Sequence, residues 1–244
     1  MNSFTESAFT ALQLILRLDT TLLEIVGRSL AVSGLACALA CSLGLVLGGW
    51  IGVTRFAGRG GLLVVLNTLL ALPSVVVGLI IYLLLSRSGP LGFLGWLFSF
   101  KAMVLAQGVL VLPVVTTLTL RTVEEADLDH GDQLRSLGAG TLLRSLLLAW
   151  DERFALLTVL LASFGRAISE VGAVMIVGGN IEGFTRVMTT AIALETSKGD
   201  LPLALALGLL LMLAVLGLNA LIAVIGRWAG ARAEGTVLLK AATA

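Results

Sequence analysis

Residues 121–153 read RTVEEADLDHGDQLRSLGAGTLLRSLLLAWDER and form the one long charged segment of a chain that is otherwise mostly apolar. A polar insert of this size, flanked by apolar runs, lies outside the hydrocarbon of a membrane. Within it apolar residues recur at helical spacing, which predicts a short amphipathic helix along the membrane face: Leu134, Leu137, Leu143, Leu146 and Leu147. An ordinary solvated loop with some leucines is the alternative interpretation.

The composition defines the class of protein. The 244 residues are 58% hydrophobic and 13% charged, with a mean hydropathy of +1.05. A soluble domain carries about 25% charged residues, so this chain is predicted to be an integral membrane protein. Its net charge of +1 does not indicate a nucleic-acid partner. The remaining aqueous segments are too short for a catalytic domain.

The sequence offers no metal or nucleotide site of its own. Cys37 and Cys41 lie in one apolar run, where two thiolates would be a poor metal site and small buried side chains are the expected interpretation. The one histidine, His130, lies in the charged segment and cannot form a cluster. There is no GxxxxGK[ST] motif, so we expect no ATP site on this chain.

Residues 1–25 are predicted to form an N-terminal amphipathic segment in the membrane interface. Four charged residues interrupt it, which argues against both a span and a cleavable signal peptide. Its apolar face is marked by Ala8, Leu12, Ile15, Leu16, Leu18, Leu22 and Leu23.

Five runs that follow are each long enough to cross roughly 30 Å of hydrocarbon: 29–54, 60–86, 102–120, 154–177 and 201–226. Pro73, near the middle of the second run, must bend or break its helix, and Pro113 lies inside the third. The predicted fold class is therefore an all-α integral membrane protein with five transmembrane helices and two amphipathic helices. The first run also has a small-residue face suited to close packing: Ser33, Gly34, Ser42, Gly44, Gly48, Gly49 and Gly52.

The distribution of lysine and arginine predicts the orientation. With the N-terminus outside, nine of these residues lie on the inner side and six on the outer side. The excess favours a cytoplasmic location for the charged segment and for the C-terminal tail, residues 228–244.

Arg166 and Glu170 interrupt the fourth run. Four residues apart on one helix, they would share a face and could neutralise each other. Ionisable groups at that depth normally face a bundle interior or a wet cavity. A pathway or gate and a purely structural pair are both open interpretations.

A resemblance to a known family begins in the charged segment. Residues 132–139, DQLRSLGA, resemble the conserved loop of ABC importer permeases, Glu-Ala-Ala, three residues, Gly, then about nine residues to Ile-x-Leu-Pro. Gly138 fits the glycine; Asp132 replaces the glutamate, and residues 148–151 replace the ending. A second register, with Glu125 first and Gly131 as the glycine, matches the start better but has no Leu-Pro at its end.

A second stretch, residues 169–195, is similar to the Glu-x-Gly … Gly-Asn-Ile-x-Gly-x-Thr run of molybdate and tungstate permeases and looks most like the tungstate form. Residues 67–92 resemble the same subfamily, and the likeness extends from about residue 20 to 226. It implies an ABC type-1 permease domain over residues 26–227, with a coupling loop at 121–153.

The resemblance also implies a mechanism and partners. Each chain would form half of a pathway for a tetrahedral oxyanion, tungstate first and molybdate next, and would work by alternating access in a bacterial cytoplasmic (inner) membrane. A second copy, a separate ATPase subunit carrying ATP and magnesium, and an extracytoplasmic binding protein are the expected partners. An amphipathic helix at about 129–144 would transmit the ATPase motion.

Two sets of residues are implied. Those coupled to the ATPase are Asp132, Arg135, Leu137, Gly138 and Ala139. Those of the pathway or gate are Pro73, Arg166, Glu170, Gly172, Asn180, Thr185, Thr189 and Thr190. Backbone N–H groups and hydroxyls can bind an oxyanion without holding it too tightly. A capped turn that leads into a re-entrant or surface helix explains Asn180, Thr185, Thr189 and Thr190 equally well.

The sequence argues against two other classes of protein. An ion-coupled secondary transporter of small anions would usually show inverted repeats, and the sequence has no such internal symmetry. A membrane-embedded enzyme would need a clustered catalytic constellation, which one histidine and one charged pair do not supply.

Overall fold

The computed structural model describes residues 4–17 and 19–242, and the side chains of residues 8–17 and 19–228. This part of the chain is helical throughout apart from short connections and one 3₁₀ turn at Gly92–Leu94. The α-helices in chain order are α1 (Phe4–Leu16), α2 (Thr20–Val53), α3 (Arg59–Leu70), α4 (Ser74–Leu85), α5 (Phe100–Ser136), α6 (Thr141–Asp151), α7 (Arg153–Ile168), α8 (Gly172–Gly178), α9 (Met188–Lys198) and α10 (Leu201–Ala242).

Three helices, α2, α5 and α10, are long and apolar enough to cross a membrane. Two further pairs of helices are long and apolar enough only when taken together, and each pair is bent at a short break: α3 with α4 by 99° and α7 with α8 by 56°. Counting each bent pair once gives the five predicted spans and confirms the predicted all-α membrane fold.

The N-terminal boundary was predicted wrongly. The amphipathic helix ends at Leu16, and α2 begins at Thr20 because the carboxylate of Asp19 accepts a hydrogen bond from the Leu22 amide at 3.1 Å. Leu22 is therefore part of the first span, as is Leu23, whereas Leu18 lies outside the described residues. The buried face of α1 is centred on Ala11, which packs with α10, rather than on the predicted leucines.

The first and third spans, α2 and α5, form the central pair of the fold. At Gly48 an added Cβ would lie 2.5 Å from the Thr116 carbonyl oxygen and 2.7 Å from the Thr119 Cβ, so only glycine permits this approach. The glycines one turn away on either side, at 44 and 52, face α5 in the same way. Gly34 and Ser42 lie off this face: a Cβ on Gly34 would meet nothing within 4 Å, and Ser42 is exposed.

The predicted break at Pro73 is confirmed. α3 ends at Leu70, and Pro73 caps the start of α4 with extended backbone. The fourth span breaks as well, at residues 169–171, although its sequence contains no proline. The two breaks touch, since a Cβ on Gly172 would lie 2.7 Å from Cγ2 of Val75 and 2.9 Å from Oγ of Ser74.

The charged segment differs from the prediction. α5 contains 37 residues, about 55 Å at 1.5 Å per residue, and therefore extends well beyond one hydrocarbon layer. Residues 129–136 belong to its last turns, and a separate helix, α6, follows the turn at 137–140. The single helix predicted over 129–144 is thus wrong, because Gly138 adopts a positive φ of 82° that ends α5.

α10 also continues beyond its apolar part. The stretch suited to a membrane is Leu201–Trp228, but the helix itself extends to Ala242. Most of the predicted 228–244 tail is therefore helical.

Candidate functional site

The turn at residues 137–140 joins α5 to α6. Its amides follow the Schellman pattern: Ala139 N–H donates to the Leu134 carbonyl and Gly138 N–H to the Arg135 carbonyl, both at 2.9 Å. The pattern satisfies carbonyls that the end of α5 would otherwise leave unpaired, and it needs the left-handed conformation that glycine adopts readily. α5 and α6 therefore form a helical hairpin.

A buried ion pair fixes this hairpin. Arg144 Nε lies 2.8 Å from Asp127 Oδ1, and the two side chains are only 9% and 5% exposed. The same guanidinium donates to the Val53 carbonyl at the end of α2, so three helices meet at one arginine. Gly131 leaves room for the carboxylate, since a Cβ there would lie 2.5 Å from Asp127 Oδ1.

Sequence analysis gave neither Asp127 nor Arg144 a role. A signal for Asp127 was present: it follows Val123 by four residues and precedes Leu134 by seven, which puts it on the buried face of α5. An acidic residue on an apolar helical stripe requires a buried cation.

The predicted coupling residues lie at the tip of the hairpin. Asp132 has a fully hydrated carboxylate, with its side chain 95% exposed, and pairs with Arg135 at 2.7 Å. Arg135 also reaches Asp127 at 3.3 Å. Leu137 and Gly138 are exposed, and Ala139 is half-buried.

One side of the hairpin is apolar and uncovered within the described chain. We call it the hairpin surface; its members are between 43% and 80% exposed and are Leu137, Leu142, Leu143, Leu146, Leu147 and Trp150. The opposite side of α6 carries the buried Arg144, Ser145 and Leu148. At the end of α6, burial raises the pKa of Glu152, and the Asp151 and Glu125 carboxylates raise it further.

The break in the fourth span separates Arg166 from Glu170. Within the described residues no ion pair joins them, so the predicted neutralising pair is wrong. The reason is that α7 ends at Ile168, which removes the i, i+4 geometry. Glu170 instead accepts from the Ala173 amide at 3.1 Å, in the first turn of α8. Arg166 is exposed and has no carboxylate partner in the described chain.

Gln107 was missed by sequence analysis. Its Nε2 donates to the Ala167 carbonyl at 2.9 Å, and its Oε1 is buried without a hydrogen-bond partner in the described structure. Gln107, Arg166 and Glu170 line one narrow crevice beside the break. The signal was a single amide side chain within the apolar third run.

A turn that follows α8 gathers the four predicted polar donors. Gly179 and Asn180 both have positive φ, at 70° and 51°. Thr185 Oγ1 donates to the Gly178 carbonyl and accepts from the Ile181 amide, the latter at 2.9 Å. The Asn180 side-chain amide donates to the Thr190 carbonyl at 3.2 Å.

The remaining two threonines are likewise bonded to the backbone. Thr189 Oγ1 donates to the Glu170 carbonyl at 2.8 Å, which ties α9 to the break in the fourth span. Thr190 Oγ1 donates to the Val187 carbonyl at 3.1 Å. These hydroxyls and that of Thr185 are buried with their protons donated internally, so in this conformation they hold the turn together and are not free for an anion.

The turn is also fastened to α2. Arg28 donates to the Gly183 and Arg186 carbonyls at 2.9 and 3.2 Å, and Ser29 Oγ accepts from the Met188 amide at 2.6 Å. Arg186 is buried and lies 3.7 Å from Glu195. Sequence analysis counted Arg28 and Arg186 among the basic residues of the outer side and gave neither these two residues nor Ser29 a structural role.

In the described part of the chain no group of three or more His, Cys, Asp or Glu side chains could hold a metal ion. Cys37 and Cys41 are free and buried, as expected for small side chains inside an apolar run. Their sulfurs lie 3.4 Å apart.

Together, the bent spans, the projecting hairpin and the fastened turn define an all-helical, multi-pass membrane protein. Known proteins resemble it over most of its length. A probable anion ABC transporter permease protein of Haloferax volcanii is 44% identical over 207 residues, covering 83% of this chain and 89% of the relative. Tungstate uptake system permease proteins TupB of Peptoclostridium acidaminophilum and Campylobacter jejuni are 40% and 38% identical, covering 91% and 86% of this chain and 97% and 87% of the relatives.

More distant relatives, at 30–31% identity, are named as molybdenum and sulfate permeases. No protein-family model matches the chain. The chain belongs to the ABC transporter permeases, in the group that contains the tungstate, molybdate and sulfate permeases. The resemblance read from the sequence is thereby confirmed.

Proposed function

We propose that this chain is the membrane-spanning, non-catalytic subunit of an ATP-driven importer, and that its substrate is a tetrahedral oxyanion, tungstate first and molybdate second. The observation that carries the proposal is the likeness to two permeases named for tungstate uptake, one of which matches 91% of this chain. ATP and magnesium belong to a separate ATPase subunit, because this sequence has no P-loop motif.

The hairpin is the proposed contact with that ATPase. Its surface combines exposed leucines and a tryptophan with the charged tip at Asp132 and Arg135, a composition suited to a protein partner. The Asp127–Arg144 pair supports this role because a helical hairpin that transmits motion must be rigid. A force on α6 reaches α5 and α2 directly through these buried contacts. The coupling residues are thus the tip (Asp132, Arg135, Leu137, Gly138 and Ala139) together with the exposed face of α6.

The orientation follows from the same contact. Since the ATPase is cytoplasmic, the hairpin faces the cytoplasm, in agreement with the nine-to-six distribution of basic residues. α2 enters from the opposite side, which puts the N-terminus outside and the C-terminus in the cytoplasm. The membrane is the bacterial cytoplasmic (inner) membrane.

The pathway is proposed to lie along the two broken spans. Breaks at Pro73 and at residues 169–171 touch each other, and interrupted helices can hinge where continuous ones cannot. We propose that Arg166 attracts the oxyanion, because no carboxylate in the described chain neutralises the Arg166 guanidinium. A second copy of the chain would supply the other half of the pathway, and alternating access would open it to each side in turn.

For the polar turn we propose the role of an outer gate rather than a ligand set. Asn180, Thr185, Thr189 and Thr190 hold the turn closed, and the Thr189 bond to Glu170 connects it to the break. Gly172 permits the close contact with α4. The exposed Ile181 and Phe184 are the proposed contacts for a loaded binding protein.

The test is ATP hydrolysis in liposomes that contain this chain and a co-expressed candidate ATPase subunit. A candidate binding protein is added after loading with tungstate, molybdate or sulfate. We expect the tungstate-loaded form to stimulate hydrolysis most. Stimulation by the sulfate-loaded form alone would contradict tungstate as the substrate. If no loaded form stimulates hydrolysis and an ion gradient drives anion uptake instead, the chain would be an ion-coupled secondary transporter.

Arg166→Gln sharpens this test. Loss of a charge-assisted contact should lower tungstate uptake about ten-fold. Arg227→Gln removes an exposed arginine from the end of the apolar part of α10 and is the matched control, with uptake expected to stay at the wild-type level. Equal uptake by both variants would remove Arg166 from the pathway.

A further inference from the structure

A groove between α2 and α5 remains uncovered in the described chain. It has a volume of about 470 Å³, within the range of small-molecule sites, and its lining is apolar apart from one lysine. Leu39 and Leu43 of α2 line one side, and Gly108 and Leu112 of α5 line the other, with Leu112 the lining residue farthest along α5 from Lys101. A Cβ on Gly108 would meet nothing within 4 Å, so the space beside it is real and unfilled by this chain.

The mouth of the groove carries a cation and an aromatic ring. Lys101 lies in the first turn of α5, with its Nζ 5.5 Å from the centre of the Trp96 ring. Tryptophan and lysine are the side chains that sit at the headgroup level of a bilayer. Lys101 is exposed and forms no ion pair with a carboxylate among the described residues. The start of a helix adds a partial positive charge at the same place.

The dimensions match one leaflet. Leu112 lies eleven positions after Lys101 along α5, a rise of about 16 Å, which is about half of the roughly 30 Å hydrocarbon thickness. An acyl chain with its headgroup at Lys101 would therefore end near Leu112.

We propose that this groove is a binding site for an anionic phospholipid, with its phosphate at Lys101 and one acyl chain lying between α2 and α5 over Gly108. The charge at the mouth selects an anionic headgroup over a zwitterionic one, and the apolar walls hold the chain. Such a lipid would fill the space beside the glycine-packed α2–α5 pair.

The first test is native mass spectrometry of the full chain released from bilayers of phosphatidylcholine and phosphatidylglycerol. Wild-type protein should retain phosphatidylglycerol preferentially, and Lys101→Gln should reduce that preference about five-fold. Gly108→Leu fills the groove and should abolish retention of both lipids. Gly217→Leu, at another span glycine with open space around it, is the matched control and should retain lipid as the wild type does. No preference in the wild type, or equal retention by both leucine variants, would overturn the site.

The second test separates a lipid from a second copy of the chain as the occupant. A photoreactive side chain at Leu39, which is 53% exposed, should form an adduct with the mass of a phospholipid. A cross-linked pair of chains in place of that adduct would show that the groove is a protein interface and would refute the proposal.

Discussion

The hairpin at residues 121–153 and the turn at residues 179–190 place their polar and apolar groups in opposite ways. In the hairpin a charged pair is buried, and leucines and a tryptophan face outward. In the turn the threonine hydroxyls are buried and donate to the turn's own and neighbouring backbone. A surface that exposes apolar side chains on a rigid frame is suited to contact another protein, whereas a turn that satisfies its own polar groups is suited to hold a shape. This contrast supports the proposed division of roles, with coupling at the hairpin and gating at the turn.

The largest expected effect comes from breaking the buried pair. Arg144→Ala leaves Asp127 charged and unpaired in a buried position and should lower the free energy of unfolding by about 3–5 kcal/mol. Arg135→Ala removes a half-exposed arginine from the same carboxylate and should change it by about 0–1 kcal/mol. Thermal unfolding in detergent measures both, and similar losses would mean that the hairpin is not fixed through Arg144.

The second-largest effect is expected in the turn at residues 179–190. Thr185→Val keeps the shape of a buried side chain but leaves the Gly178 carbonyl and the Ile181 amide without their partner, at an expected loss of about 1–3 kcal/mol. Thr158→Val, on α7, removes only a bond to its own helix and should be nearly silent. The same variants in the liposome assay distinguish a gate from a ligand site. A changed dependence on substrate concentration in Thr185→Val, without a loss of stability, would contradict the gate.

Backbone strain at the hairpin tip should have an intermediate effect. Gly138→Ala introduces a Cβ at a φ of 82° and should destabilise the turn by about 1–2 kcal/mol, although no neighbouring atom is in the way. Gly140→Ala, two residues on at a φ of −67°, has the same open space without the strain. The expected consequence is weaker coupling of ATP hydrolysis to uptake in Gly138→Ala alone. Normal coupling in both variants would show that the turn at residues 137–140 plays no part in the mechanism.

The smallest effect on stability is expected on the hairpin surface. Leu142→Ala with Leu146→Ala should change the free energy of unfolding by no more than about 0.5 kcal/mol, because both side chains are exposed. Binding to the ATPase subunit should nevertheless be lost. Leu213→Ala with Leu216→Ala, on the similarly exposed face of α10, is the matched control and should bind normally. Equal binding by the two double variants would remove the hairpin surface from the interface.

The sequence predicted the spans well because each depends on a local property. Apolar length determines where a helix can cross, and Pro73 lacks the amide that would continue its helix. The glycine of the tip was also predictable, since a helix that ends sharply commonly has glycine in the left-handed position.

What the sequence could not give depended on contacts between distant residues. Arg144 pairs with Asp127 and donates to the Val53 carbonyl, which joins three helices. The spacing along the chain places Asp127 on the buried face of α5 but does not indicate which cation meets it. Arg166 and Glu170 illustrate the reverse error: a spacing of four implies a shared face only where the helix continues, and here it ends at Ile168. Likewise, threonine composition alone cannot tell a hydroxyl that binds a substrate from one that closes a turn.

The most direct test of the account compares the two ends of the molecule in one experiment. A photoreactive side chain is introduced at Leu146 on the hairpin surface or at Phe184 on the turn, two positions of nearly equal exposure at 60% and 58%. Each variant is then irradiated in membranes that also contain the co-expressed ATPase subunit and the binding protein. We predict that Leu146 cross-links to the ATPase subunit and that Phe184 does not. Cross-linking of the ATPase subunit through Phe184, with none through Leu146, would contradict both the coupling role of the hairpin and the proposed orientation.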